Sequence, residues 1–333
     1  MPTTPFRFVL VGSGNISRTY ASAVANLEGV EIVGVVSRSG NRPDNLPPQV
    51  PVFDSLAAVT VDFESALLAT PNGLHHEGAI AAAKLGKHVL TEKVLDISTD
   101  HMDAMINACD QAGVTLAVSF QRRMSPDNAA VKKRLDSGEL GKVFAADMRV
   151  KFYRDMDYYN SGSYRGGYAI DGGGPFIQQA AHNVDIFCWF FGLPQKVISM
   201  LGTFVHPIET EDHGIAMFHY ESGLIGSLTA STATRPGFPP VLEIHTDKGS
   251  IVMENDEITL WEIDGVENPS SRDDFEVHSG SASAAVTDTQ GHEQIIRDFV
   301  NAIGDGRKPV AEAHSARKAT DLVLQIYQNN QIA

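Results

Sequence analysis

The sequence predicts an α/β protein of two domains, in which a doubly wound parallel sheet is followed by an α+β domain with a large, mainly antiparallel open sheet. The chain has 333 residues, which is more than one hydrophobic core commonly holds. Strand-like and helix-like segments alternate from residue 6 to about residue 120, which is typical of a parallel sheet covered on both faces. Beyond residue 120, several strand-like runs are separated by turns, which indicates an antiparallel sheet.

The first half of the chain follows a strand–helix order. Strands are predicted over residues 6–11, 30–36, 63–69, 88–91 and 114–119. Apolar residues at i, i+3, i+4 and i+7 indicate helices between these strands, and Gly86 and Gly113 end two of them. We assign residues 1–122 to the first domain.

In the second half, the pair Ser125-Pro126 opens a helix that Gly138 ends, and another helix should follow Pro175. Strands are predicted over residues 143–153, 196–201, 215–220, 224–230, 242–246 and 251–261, the last as two strands. Residues 262–290 are rich in Ser, Asp and Gly and are interpreted as a loop, and helices over 291–303 and 314–330 close the chain. We assign residues 123–333 to the second domain, with the C-terminal helix packing back on the first.

The composition excludes several classes of partner. The net charge is −15, so phosphate backbones and anionic membrane surfaces would repel the chain, and we expect neither a nucleic-acid nor a membrane partner. No apolar run approaches the roughly 18 residues of a membrane helix. The two cysteines, Cys109 and Cys188, lie far apart without a disulfide pattern, which favours a reducing, cytoplasmic location.

A glycine-rich turn joins the first strand to the first helix. Its residues are Gly12, Ser13, Gly14, Asn15, Ile16 and Ser17. The first glycine permits a tight turn, the second lets backbone amides approach a pyrophosphate, and the small third residue lets helix and strand pack. The helix N-terminus then supplies positive potential to the phosphates. The alternative is an ordinary strand–helix turn, but its context favours a dinucleotide site.

The second strand should end with the residues that contact the adenosine ribose. Here they are Ser37, Arg38 and Ser39, without a carboxylate. A carboxylate would bind the ribose diol and repel a 2′-phosphate, whereas Arg38 can bind such a phosphate. We therefore favour NADP over NAD as the cofactor. If Arg38 merely stacks on the adenine, NAD remains acceptable.

Further motifs follow in order along the chain. Ala69-Thr70-Pro71-Asn72 precedes His75, Glu92-Lys93 ends the string that starts at Gly86, and Asp171-Gly172-Gly173-Gly174 precedes a segment with His182 and Asp185. Together with the glycine turn, these motifs resemble the Gfo/Idh/MocA family of NAD(P)-dependent oxidoreductases over nearly the whole chain. The resemblance implies a Rossmann domain, oxidation or reduction of a sugar, polyol or related carbohydrate, and a homodimer or homotetramer formed through the open sheet. It also implies that Thr70, Pro71, Asn72, His75, Glu92 and Arg165 bind the cofactor.

Glu92-Lys93 is similar to the family's Glu-Lys-Pro signature, whose lysine contacts the nicotinamide ribose and the substrate hydroxyl. Val94 replaces the proline here. The family's Lys–Pro bond is often cis, and a cis bond before valine costs about 2.5–4 kcal/mol. This cost favours a trans bond with Lys93 slightly displaced, but the sequence leaves the isomer open. Taken alone, Lys93 could equally be a solvated surface residue.

The resemblance makes His182 and Lys93 the catalytic candidates. Many relatives have an aspartate four residues before the histidine, but this chain has Gln178, which cannot accept a proton. On a continuous helix, Gln178 and His182 would share a face. The substrate-binding candidates are Lys93, Arg122, Tyr164, Gln178, Gln179 and His182. This pattern is similar to the branch that contains the UDP-N-acetylglucosaminuronate 3-dehydrogenases, although an isolated histidine on an apolar helix is usually a core residue.

The expected substrate is a small carbohydrate. Residues 119–165 contain ten Lys and Arg against six Asp and Glu, which would suit an anionic one. Three alternatives stay open: a non-catalytic sensor of the dinucleotide, an epimerase, lyase or glycosidase that uses transient oxidation, and metal-dependent hydrolysis. Retention of Lys93 and His182 argues against the sensor. No histidine spacing typical of zinc sites is present, so we predict no metal site.

Overall fold

The computed structural model describes residues 5–270 and 288–332. The strands are β1 Phe6–Val11, β2 Val30–Val36, β3 Val52–Phe53, β4 Ser65–Leu68, β5 His88–Thr91, β6 Leu116–Val118, β7 Val143–Lys151, β8 Lys196–Gly202, β9 His213–His219, β10 Ile225–Ser231, β11 Val241–Thr246, β12 Gly249–Glu254 and β13 Glu257–Ile263. The helices are α1 Asn15–Ala25, α2 His75–Lys84, α3 Thr99–Ala112, α4 Pro126–Ser137, α5 Met156–Asn160, α6 Ala181–Phe191, α7 Gln290–Asp305 and α8 Ala313–Gln328. Most of the loop predicted over 262–290 lies outside the described residues.

The described residues form two compact units. The first contains residues 5–121 and 288–317, and the second contains residues 122–270 and 318–332. The domain boundaries expected from the sequence stay a prediction. Among the residues that the structure describes, no helix is long and apolar enough to span a bilayer.

The first unit is built on a six-stranded parallel sheet in the order β3-β2-β1-β4-β5-β6. Its core includes the fully buried Phe8, Leu10 and Leu67, and Phe299 of α7 packs edge-on against Phe6 at 6.4 Å between ring centroids. The strand order reverses between β1 and β4, which places the turns after these strands at the edge where ligands bind in doubly wound folds. The predicted parallel fold is confirmed.

The second unit contains a seven-stranded sheet in the order β13-β12-β11-β7-β10-β9-β8. Every neighbouring pair is antiparallel except β7 and β10, so the predicted mainly antiparallel sheet is also confirmed. Buried and exposed residues alternate strictly along β8 and β9, as expected for a sheet with one covered face. Phe187 of α6 packs against Phe218 of β9 on the covered face, with ring centroids 5.6 Å apart.

The segment after Pro175 differs from the prediction. Residues 175–179 form a turn, and α6 begins only at Ala181. The backbone N–H of Ala180 donates to the carbonyl of Pro175, five residues back, so this stretch does not continue as an α-helix. Gln178 therefore lies in the turn before the helix, and the expectation that Gln178 and His182 share one helix face was wrong.

Candidate active site

The glycine turn after β1 brings the chain very close to the turn after β4. Gly12 has φ +114°, and a Cβ atom there would lie 2.6 Å from the Ala69 carbonyl oxygen. Only glycine fits both this conformation and this approach. Gly14 is the N-cap residue of α1, a Cβ atom on it would meet nothing within 4 Å, and the first helical turn carries no acidic side chain. The N-terminus of α1 thus offers accessible backbone N–H groups to an anion.

The ends of β1 and β2 are joined by hydroxyl groups. The Ser37 Oγ lies 3.0 Å from the Ser13 Oγ and 3.0 Å from the Ser39 Oγ. Ser37 is buried, whereas Arg38 beside it is exposed. The predicted ribose-contacting residues and the glycine turn therefore lie together, with the Arg38 guanidinium accessible to a ligand phosphate.

These residues fit a dinucleotide. Gly12 allows a close backbone approach, and the N-terminus of α1 is suited to a pyrophosphate. After β4, the Thr70 Oγ1 is buried and has no hydrogen-bond partner among the described residues, which leaves it available to a ligand. Pro71 and Asn72 continue the same turn at the carboxyl edge of the sheet.

Glu92 and Lys93 directly follow β5 at that edge. The Tyr20 hydroxyl donates to the Glu92 Oε2 at 2.6 Å and lies 2.5 Å from the Ser119 Oγ. Burial raises the pKa of Tyr20 well above its usual value, and the neighbouring Glu92 carboxylate raises it further, so the hydroxyl stays a donor. This contact fixes the residue before Lys93. The sequence analysis placed Tyr20 only in the apolar face of α1 and missed the bond.

His75 links the turn after β4 to the residues after Lys93. Its ring is fully buried, with Nε2 2.9 Å from the Thr70 carbonyl oxygen and Nδ1 2.7 Å from the Val94 carbonyl oxygen. The role of His75 in cofactor binding stays a prediction, and both of its ring nitrogens lie against backbone carbonyl oxygens. The Lys93–Val94 peptide, whose isomer the sequence left open, is cis. The Val94 side chain is buried beside this bond.

In the second unit, a glycine loop packs against Glu211 and Tyr327. A Cβ atom on Gly173 would lie 2.1 Å from the Tyr327 Oη, and one on Gly174 would lie 2.0 Å from the Glu211 carbonyl oxygen. The Glu211 carboxylate accepts from the Gly174 N–H at 3.1 Å and from the Tyr327 hydroxyl at 3.0 Å. Burial raises the pKa of Glu211 to about 7. The sequence analysis quoted the glycines but did not find Glu211.

The same loop leads to His182, which lies half-buried in the first turn of α6. Before it, the Gln178 Nε2 donates to the Asp171 carbonyl oxygen at 2.7 Å, and the Asp171 Oδ2 accepts from the Gly166 N–H at 3.1 Å. Gln178 therefore stabilises the glycine loop through a hydrogen bond to the backbone of Asp171.

Three predicted residues of the second unit surround Tyr158, which was not assigned a role. The Tyr158 hydroxyl accepts from the Arg165 Nη1 and from the Gln179 Nε2, both at 2.8 Å. The Arg165 guanidinium lies 4.5 Å above the Tyr158 ring and 5.6 Å above the Tyr164 ring. Its Nε is buried without a hydrogen-bond partner in the described part of the chain, so a donor remains for an anionic ligand.

The two arginines after β6 have acidic partners in the second unit. The Arg122 Nη1 lies 3.1 Å from the Oδ2 of the buried Asp256. Arg123 donates to both carboxylate oxygens of Asp185, through Nε at 2.8 Å and Nη2 at 2.6 Å, and both side chains are buried. Arg122, predicted to bind substrate, is thus already balanced by a carboxylate, and Asp185 is committed to an ion pair.

Two family models match this chain. Residues 6–120 match the model described as an oxidoreductase family with an NAD-binding Rossmann fold, and residues 128–252 match the Gfo/Idh/MocA C-terminal domain. The chain belongs to the Gfo/Idh/MocA family. The glycine turn and the motif around Lys93 lie in the NAD-binding Rossmann domain of this family, and His182 lies in the C-terminal domain.

Several known dehydrogenases are similar to the chain over most of its length. The 4-carboxy-2-hydroxymuconate-6-semialdehyde dehydrogenase of Sphingobium sp. is 25% identical over 91% of this chain and 92% of its own. The inositol 2-dehydrogenase of Rhizobium meliloti is 24% identical over 90% and 89%, respectively. Among solved structures, the WlbA dehydrogenase from Bordetella pertussis in complex with NADH and UDP-GlcNAcA has a TM-score of 0.83, 26% identity and coverage of 98% and 97%. These similarities establish an oxidoreductase of this family and leave its substrate open.

Proposed function

We propose that this oxidoreductase transfers a hydride between a nicotinamide dinucleotide and a secondary hydroxyl or carbonyl carbon of a sugar, sugar acid, inositol or nucleotide-linked sugar. The observation that carries the proposal is the placement of Lys93 directly after β5 at the carboxyl edge of a sheet whose β1 turn fits a pyrophosphate. Similar proteins that act on inositol or bind UDP-GlcNAcA support the carbohydrate class.

In the oxidising direction, His182 takes the hydroxyl proton at a ring nitrogen, since Gln178 cannot accept one. The Lys93 ammonium stabilises negative charge that develops on the substrate during the reaction. When bound, the dinucleotide supplies the hydride acceptor. In the reducing direction, His182 returns the proton to the oxygen. Tyr20 acts through the Glu92 carboxylate and His75 through the Val94 carbonyl oxygen, so we infer that both help to position Lys93.

We further propose that the substrate is anionic and that Arg165 binds its negative group. Gln179 and Arg165 are held by the same Tyr158 hydroxyl, and the Arg165 Nε remains available as a donor. A carboxylate or phosphate suits a guanidinium better than a neutral hydroxyl does.

The test of the activity is a screen of cyclic polyols, sugars and uronates for nicotinamide reduction. Lys93→Met and His182→Asn should retain dinucleotide binding and lower turnover by about 10²–10⁴-fold. Lys84→Met and His314→Asn remove the same side chains at exposed positions and should behave like the wild type. Wild-type turnover in the first two variants would reject the roles, and turnover of substrate without net nicotinamide reduction would indicate transient oxidation instead.

We propose NADP as the preferred cofactor, because the hydroxyl-lined end of β2 has an exposed arginine and no carboxylate. Arg38→Ala should weaken NADP binding about tenfold and leave NAD binding nearly unchanged, since only the 2′-phosphate loses its partner. Dissociation constants for both dinucleotides measure this. Tighter binding of NAD by the wild type would contradict the preference.

We also propose that the protein forms a homodimer or homotetramer through the sheet of the second unit. On neighbouring strands, one face of this sheet exposes large apolar side chains, namely Phe144, Ile198, Met200, Ile215, Met217 and Ile225. Contiguous apolar surface of this kind marks an interaction site. Met217→Glu should shift the mass in solution, measured by light scattering, towards that of the monomer.

We propose a cytoplasmic location, because the buried free thiols of Cys109 and Cys188 fit a reducing compartment.

A further inference from the structure

Three side chains with metal-ligating atoms converge in the first unit, apart from the residues assigned to the reaction. They are His76 in the first turn of α2, Asp96 between β5 and α3, and His101 in the first turn of α3. The Asp96 side chain is completely buried, whereas those of His76 and His101 are 20% and 43% exposed. An ion from solvent can therefore reach the imidazoles and meet a buried carboxylate behind them.

The geometry matches a small coordination site. The His76 Nδ1 lies 3.0 Å from the Asp96 Oδ2, and the His101 Nδ1 lies 3.1 Å from the Asp96 Oδ1. The two imidazole rings are stacked with centroids 3.7 Å apart, and all three ligand atoms lie within 4.8 Å of one another. A tetrahedral Zn²⁺ with bonds of 2.0–2.2 Å separates its ligand atoms by about 3.4 Å. Small side-chain shifts would thus accommodate the ion.

The carboxylate is already oriented by the backbone. The Asp96 Oδ2 accepts from the His76 N–H at 3.2 Å, and the Asp96 Oδ1 accepts from the Ile97 N–H at 2.7 Å. Such outer hydrogen bonds hold a metal-binding carboxylate in place. Capping of α2 by Asp96 explains one of these bonds, but it does not explain why two imidazole Nδ1 atoms point at the same carboxylate.

We propose that His76, Asp96 and His101 bind a divalent transition-metal ion, with Zn²⁺ as the representative, and that water completes the coordination. Two imidazoles and one carboxylate select such ions over Mg²⁺ and Ca²⁺, which prefer oxygen ligands. Each imidazole binds the ion through the Nδ1 lone pair of its neutral form, with its ring proton on Nε2.

The charge around the site suits a cation. The positive N-terminal ends of the α2 and α3 dipoles disfavour a bound cation. The carboxylate of Asp96 offsets this effect, together with Glu77 in the first turn of α2 and Asp100 in the first turn of α3. The ion joins the starts of α2 and α3, so its role is structural. The site was not predicted from the sequence, because its ligands are 20 and 5 residues apart and resemble no zinc motif.

The experiment titrates ZnCl₂ into the chelator-treated full-length protein by calorimetry and measures the zinc content after gel filtration. We expect one ion per chain. His76→Gln and His101→Gln should each weaken binding at least about tenfold, because each removes one of three protein ligands. His314→Gln is the matched control, since exposed His314 also lies near a carboxylate, 3.2 Å from Asp110, without a third ligand. It should bind zinc like the wild type.

A cobalt(II) spectrum distinguishes ligand loss from misfolding. The wild type should show visible absorption typical of nitrogen-ligated cobalt, and both glutamine variants should lose it while their circular dichroism and dinucleotide binding stay unchanged. The proposal is overturned if the stripped wild type takes up no stoichiometric zinc, or if both variants bind zinc as tightly as the wild type does. Neither result depends on which substrate the enzyme oxidises.

Discussion

Glu211 should make the stability of the second unit fall as the pH rises through the acidic range. Its carboxylate is buried against the glycine loop that leads to His182, and burial raises its pKa from 4.5 to about 7. The folded state therefore binds the proton more tightly than the unfolded state does, so the free energy of unfolding decreases between these two pKa values. The shift corresponds to about 3 kcal/mol at 1.36 kcal/mol per pKa unit.

The comparison with Glu211→Gln isolates this effect, because the amide does not titrate. At about pH 4, the variant should have a lower free energy of unfolding than the wild type, because its amide matches the surrounding donors poorly. This difference in the free energy of unfolding should shrink by about 3 kcal/mol by about pH 8. Urea unfolding followed by tryptophan fluorescence suits the test, because both tryptophans, Trp189 and Trp261, belong to the second unit.

Glu209→Gln is the matched control, because Glu209 is an exposed glutamate two positions away. This variant should keep the wild-type pH dependence, since Glu211 is intact. Parallel stability curves for the wild type and Glu211→Gln between about pH 4 and about pH 8 would refute the reasoning. So would a wild type that gains stability over Glu211→Gln as the pH rises.

Two further predictions concern the glycine turn and the buried ion pair. Gly12→Ala should weaken dinucleotide binding at least about tenfold and lower the melting temperature, because its Cβ would lie 2.6 Å from the Ala69 carbonyl oxygen at φ +114°. Gly14→Ala is the control. It should keep the wild-type melting temperature, because a Cβ atom there has open space. Asp185→Ala should lower the free energy of unfolding by about 3–5 kcal/mol, because it leaves the buried Arg123 guanidinium unpaired. The double variant Arg123→Met/Asp185→Leu should recover much of that loss in urea unfolding, and equal losses in the single and double variants would contradict this account.

Local sequence signals predicted the fold well where they were strong. β1, β2 and β5 have the predicted bounds, because their apolar or β-branched runs end at glycine or polar residues. β3 was missed, since a strand of two residues is too short to show a pattern. The turn after Pro175 was mistaken for a helix, because proline is frequent at the first position of helices. Here the proline follows a glycine loop and opens a turn, and the helix begins only at Ala181.

The candidate site was predictable where motifs lie within one turn, as with Gly12 to Ser17 and Glu92-Lys93. Contacts between distant segments left no signal in the sequence. Tyr20 and Glu92 are 72 residues apart, and Tyr327 and Glu211 are 116 apart, so only the folded chain reveals their bonds. The same reason explains why the charge of Arg122 looked available: its partner, Asp256, belongs to the distant β12–β13 turn.

The His75 ring joins two neighbouring turns at the carboxyl edge of the sheet in the first unit. On the β4 and β5 side, it ties Thr70 to the backbone just beyond Lys93, so these two turns form one rigid piece. On the β1 and β2 side, the hydroxyl groups of Ser13, Ser37 and Ser39 are linked to one another, and Arg38 lies beside them. We therefore expect substitutions at Arg38 to change the coenzyme preference while the lysine after β5 keeps its position.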